Sequence, residues 1–377
     1  MTRRLALPRS ALLGSASALA LGVSALAGVP AMADDPPPYA SGLTNPRGID
    51  VAPDGTLYVA EAGTGGSTAC LPNPEDPSSE VCSGTTGAVA AISNGVVRTA
   101  IGRLPSIGSD APIGPQDVQV GPGGNFTVSI GIGQEAEARD DVLQDPRFGT
   151  VYSGRFNGNG DATRIRMTDI AAFEAAHNPD GSEAHDSDPG GLVTMGGSSV
   201  LADAGGNTLL HVTRGGHVSV LAVFPDRMVD APPFLELPPG AQIPMQAVPT
   251  AVAVGPDGAY YVSQLTGFPF PTGAADIWRV VPGEAPTVWA SGMTNLTDLA
   301  WDGDQLYAVQ MFDDGLLNGG TGSLVAVHPG ANDPSAQRVG GPLPLPYGVA
   351  IDDGSAYVTA CTLCGAGAGF VVQVPLP

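Results

Sequence analysis

The chain has 377 residues, with 53 Gly, 36 Pro, 6% aromatic and 43% hydrophobic residues. Fifteen bases, every one arginine, face 37 acids for a net charge of −22. That balance excludes a surface built for nucleic acid or anionic membranes and favours cations or cationic ligands. The length allows a full core, and the Gly and Pro content suits many short strands broken by turns.

The first 33 residues read as an export signal. Arg3, Arg4 and Arg9 precede an uncharged run from Ala11 to Gly28, and Ala31-Met32-Ala33 is a small-x-small cleavage site. The Ala/Gly-rich run and this motif favour cleavage over an uncleaved anchor helix. Thr2-Arg3-Arg4 has a twin-arginine flavour, but the residues after it, Ala6 and Leu7, are a poor apolar pair, so Sec export is favoured over Tat. Cleavage removes three arginines and no acid, taking the net charge to about −25. Residues 34–38 form a Pro-rich linker, and 39–377 form one domain without a transmembrane segment.

The domain is expected to be an all-β, six-bladed β-propeller. Gly42 to Gly63 contains a hairpin, Ile49 to Val51 and Leu57 to Ala60, joined by Pro53-Asp54-Gly55. Related hairpins recur at 117–133, 191–207 (degenerate), 251–265, 298–311 and 348–361. Outer strands follow them, among them 88–93, 96–101, 208–213, 217–224, 277–281 and 323–328. Repeats of about 40 to 50 residues suggest blades. Tyr39-Ala40-Ser41-Gly42 matches Trp289-Ala290-Ser291-Gly292, which ends a repeat. The first copy therefore ends a repeat begun elsewhere, and Phe370 to Pro375 is its expected partner: the N-terminal strand closes the last blade. Thr168 to His177 departs from the strand pattern. It reads as a short helix between blades two and three, with Ile170, Phe173 and Ala176 on one face and Thr168 or Asp169 as N-cap.

The hairpin turns lie on one rim, the bottom, so residues before the first strand and after the second share the other rim, the top. Insertions at about 64–86, 131–149, 265–275, 312–321 and 361–369 also start there. The ligand site is expected on this face, near the central channel. Its candidates are Arg47, Glu61, Gln116, Asp117, Asp203, Gln264, Asp298, Gln310 and Tyr347. Four of them, Glu61, Asp117, Asp203 and Asp298, are carboxylates from different blades that a divalent cation, Ca²⁺ or Mg²⁺, would suit. The competing and favoured reading is that they bond backbone amides in turns. Arg47 either clamps a substrate carboxylate or pairs with Glu61 or Asp117.

Cys70, Cys82, Cys361 and Cys364 in an exported chain read as disulfides. Three pairings are open, and Cys70–Cys82 with Cys361–Cys364 is favoured because each pair shares one loop. Asn157-Gly158-Asn159-Gly160-Asp161 lacks the last acid of an EF-hand and reads as a turn. The five histidines have no metal spacing, and no serine-hydrolase elbow, phosphate loop or zincin motif occurs.

The run from Gly42 to Gly66, the Cys70/Cys82 insertion, Gly102 to Ser106, Gly114-Pro115-Gln116-Asp117 and the stretch from Ala172 to Asn207 together resemble the ScyD/ScyE family of secreted propellers, relatives of NHL and SMP-30-like proteins. The resemblance covers about Tyr39 to Pro377. It implies fold and export more than a reaction, and it leads one to expect histidine where Gln116 stands. Three functions follow as expectations. The first is a module that binds a small molecule or partner on the top face. The others are a metal-dependent lactonase or lyase of SMP-30 or streptogramin-lyase type, and a cell-envelope component that binds an envelope protein.

Overall fold

The computed structural model describes residues 37–73, 78–158, 160–330 and 337–377. The expected signal, Asn159 and most of the expected linker lie outside them.

Among these residues the chain forms six sheets of four or five strands and two two-stranded ribbons. Each large sheet is antiparallel, and the second to fifth are meanders. The third runs Pro189–Met195, Ser198–Asp203, Thr208–Val212, Val218–Val223, and the fourth runs Pro249–Val254, Tyr260–Gln264, Ala275–Val280, Thr287–Met293. The first strands of the six sheets, Pro46–Val51, Pro115–Val120, Pro189–Met195, Pro249–Val254, Leu296–Asp302 and Val349–Asp352, touch one another in chain order, and the last touches the first. They therefore ring a common axis.

The ring is held by apolar layers between neighbouring sheets, and strand alternation builds them. Tyr260 and Val262 face the third sheet, packing with Val200, Leu209 and Phe224. Tyr261 faces the other way, into a layer with Leu299 and Leu306 of the fifth. The layer between the last and first sheets joins Val371 and Ala350 to Ile49, Val59 and Ala90. It also contains Ala40 and Leu43 of the N-terminal strand Ala40–Leu43, which pairs antiparallel with Gly369–Pro375.

The bottom turns are short. Gly55 at φ 80° and Gly258 at φ 77° occupy the left-handed position that each turn requires. The first sheet exceeds expectation: its outer strands run Glu80–Ser93 and Val96–Gly108, and Cys70–Pro72 adds to the former, so part of the 64–86 insertion is sheet.

The helix spans Ile170–His177, and Asp169 is its cap, accepting from the Ala172 amide at 2.9 Å. Its buried face is Ile170, Ala171 and Glu174. Ala176 is exposed and Phe173 only half-buried, stacked on His177. The expected apolar face is thus rotated to include a glutamate, because Ile170 enters the layer between the second and third sheets and Glu174 follows it one turn later. On either side of Asn159, the Asp161 amide donates to Asn157 Oδ1. No helix among the described residues is long and apolar enough to cross a membrane.

Candidate ligand-binding site

Two repeated devices tie the sheets together, and they use most of the polar side chains that the sequence draws attention to. In the first, the side chain ending a second strand holds the backbone leading into the first strand of its own sheet. Glu61 Oε1 accepts from the Thr44 amide at 2.6 Å, Asp203 Oδ1 from the Asp188 amide at 2.7 Å, and Gln310 Oε1 from the Thr294 amide at 2.8 Å. Gln264 donates to the Ala247 carbonyl and accepts from the Trp278 indole.

In the second device a carboxylate bonds the first strand of the next sheet. Asp50 accepts from the Val120 amide, Asp117 from Leu192 and Asp298 from Val349, at 2.6 to 2.8 Å. Burial pushes all three carboxyls up, and repulsion from Asp298 adds to the rise at Asp117; Asp298 itself is raised to about 7.

Glu61, Asp117, Asp203 and Asp298 are therefore spent on backbone amides in different sheets. No three of them bring carboxylate oxygens within 4.8 Å of one another. Cys70, Cys82 and Glu80 do cluster that tightly, but the two sulfurs are joined in a disulfide, as are those of Cys361 and Cys364.

A cavity of about 80 Å³ opens on the axis at the top, room for on the order of six waters. One residue from each sheet lines it, and it is always the second residue of the segment entering the first strand: Arg47, Gln116, Gly190, Thr250, Thr297 and Tyr347. Five of these follow a proline, at Pro46, Pro115, Pro189, Pro249 and Pro346. That proline-x repeat was the sequence signal for the lining.

Arg47 is buried, donating to the Thr362 carbonyl and hydroxyl and to the Pro112 carbonyl, with its guanidinium 5.1 Å from the Tyr347 ring centroid. It pairs with neither Glu61 nor Asp117. Burial lowers its pKa, and the charges of Tyr347 and Asp188 work against that. Thr250 and Thr297 hydroxyls are committed to the Leu296 and Tyr347 carbonyls.

Gln116 and Asp188 remain. Gln116 is buried, and its Oε1 has no hydrogen-bond partner. Asp188 lines the same cavity; its Oδ1 accepts from the Ile132 amide, and burial with the Asp203 charge raises its carboxyl to about 7. The two side chains meet over Gly131, where a Cβ would stand 2.3 Å from Asp188 Oδ1 and 2.8 Å from Gln116 Nε2. Asp188 is the residue that sequence reasoning missed. The degenerate third hairpin concealed it just before Pro189. Glu61, Asp117, Asp203, Gln264, Asp298 and Gln310 do not line the cavity.

No family model matches the chain, and neither does any curated protein. Solved structures do. A glucose dehydrogenase aligns over 90% of this chain and 99% of its own with TM-score 0.53 and 13% identity. A protein of unknown function from Bacteroides thetaiotaomicron aligns over 89% and 70%, with TM-score 0.50 and 10% identity. A virginiamycin B lyase from Staphylococcus aureus aligns over 89% and 96% at TM-score 0.47 and 12% identity. The fold is a β-propeller. At these identities the likeness shows the propeller architecture alone.

Proposed function

We propose that this chain is an exported six-bladed propeller of the ScyD/ScyE type that binds a small polar molecule at the top of its axial channel. Six ringed sheets closed by the N-terminal strand support the blade count. Two disulfides fit an oxidising compartment. The observation that carries the binding reading is Gln116: its side chain lines the cavity with Arg47 and Asp188, and its buried amide oxygen has no donor. Native folds seldom leave such a group unpaired, and a ligand O–H or N–H satisfies it. The cavity admits a group of only a few non-hydrogen atoms, so the ligand is a small polyol, amino alcohol or hydroxy acid, or the end of a larger molecule.

Thermal-shift titration with polyols, amino alcohols, aldonic acids and their lactones tests this. A saturable shift that Gln116→Leu abolishes supports it; no saturable shift with any of them sinks it. A second reading, turnover of that ligand by a hydrolase or lyase, is favoured by one observation, Asp188 beside the buried cation Arg47. Lactone opening that is lost in Asp188→Asn while binding persists would establish it.

A further inference from the structure

The segment joining the second and third sheets folds back onto the top of the third. Ile170 of the helix packs with Leu192, Leu201 and Leu210. Glu174, one turn on, comes to the turn between Asp203 and Thr208. A Cβ on Gly206 there would stand 2.5 Å from Glu174 Oε2, and one on Gly205 would stand 2.7 Å from the Asp186 carbonyl oxygen. Asn207 donates to Asp180 Oδ2 at 3.0 Å. Helix, following loop and glycine turn thus pack against one another at one junction.

That junction is rich in oxygen and short of donors. Glu174 is fully buried, and neither carboxylate oxygen has a hydrogen-bond partner. Asn178 Oδ1 and Thr208 Oγ1 are also buried and unpartnered. Asn178 is the C-cap of the helix, one turn beyond Glu174. Thr208 lies two residues before Leu210, so its side chain leaves the same face of the sheet, the face the helix covers. The charges acting on Glu174 are Asp203, Asp180 and Asp186, all acids. Asp203 is already satisfied by Ser187, Asp188 and Gly206. An unpaired buried carboxylate is costly, and a set of carboxylate, amide carbonyl and hydroxyl oxygens is what a hard cation takes.

We propose that this junction binds Ca²⁺, with Glu174 as principal ligand and Asn178 Oδ1 and Thr208 Oγ1 beside it. The site is independent of the axial cavity. The cation pins the connection between two sheets to the glycine turn and so fixes the backbone that continues into Asp188.

The test is calorimetric and thermal titration of the purified, chelator-stripped protein with CaCl₂, then MgCl₂ and MnCl₂. Saturable one-site Ca²⁺ binding that raises the melting temperature is expected, weakened at least about tenfold by Glu174→Gln and also by Thr208→Val. Asp298→Asn, which lies in the fifth sheet, retains it. A response that survives Glu174→Gln overturns the assignment, as does a preference for Mg²⁺ or Mn²⁺. Failure of all three cations, with Glu174→Gln at least as stable as the parent in chelator, overturns it outright.

Discussion

Arg47 is a buried cation held without an acid in contact. Its guanidinium is satisfied by two carbonyls and the Thr362 hydroxyl, and that hydroxyl donates in turn to the Pro46 carbonyl at 2.5 Å. Removing part of the shell leaves a buried charge short of a partner, so Thr362→Val should destabilise by about 1–3 kcal/mol in urea unfolding. Removing the charge itself is a different perturbation. Arg47→Met should change stability by only about 1 kcal/mol, because the desolvation cost leaves with the cation, while ligand binding is lost. The sequence places Arg47 on the top face, where it lines the cavity, but the pairing with Glu61 or Asp117 that it also suggests is not formed. Proximity to Glu61 and Asp117 in the pattern says nothing of direction, and both carboxylates turn to backbone amides instead.

At the scale of the strand, the side chains that looked most functional are fasteners. Glu61, Asp203, Gln264 and Gln310 recur where a second strand ends, and each reaches the entry of its own first strand. Their repetition was legible, whereas their orientation depended on backbone amides that only the fold brings within 3 Å or so. Glu61→Ala should accordingly cost about 1 kcal/mol and leave cation binding unchanged.

Asp298 gives the pH dependence its sign. Its carboxyl titrates near 7 in the folded protein and about 4 when unfolded. Between those values the native state retains a proton that the unfolded chain has lost. This group's contribution to stability is therefore most favourable below pH 4 and declines as pH rises to about 8, by on the order of 4 kcal/mol. Urea unfolding from pH 4 to 9 should show that decline, flattened in Asp298→Asn.

The architecture was the most legible level. Hairpin period, Pro-Asp-Gly turns and the match of residues 39–42 to 289–292 state the strand order and its closure, because both segments are outermost strands of their sheets. The axial lining was partly legible through the proline-x repeat. Asp188 and Glu174 were not, since one lies in a degenerate repeat and the other on a helix whose burial the tertiary packing decides.

Closure predicts that a chain starting at Asn45, which lacks the strand Ala40–Leu43, loses several kcal/mol and its single cooperative melt. Its last sheet and the layer containing Val371 and Ile49 then open to water.

The same pairing imposes a wait. Ala40 meets Val371, so the first strand to be made is among the last to find its partner. At ribosomal speeds of roughly 5–20 residues per second, that interval is on the order of 15–70 s. A strand left bare so long should be a poor template for other chains. Ala40–Leu43 is four residues with only its two ends apolar, Ser41 and Gly42 lying exposed between them. The segment that must stay unpaired longest is short and half polar, which limits its capacity to recruit a neighbour before its own partner exists.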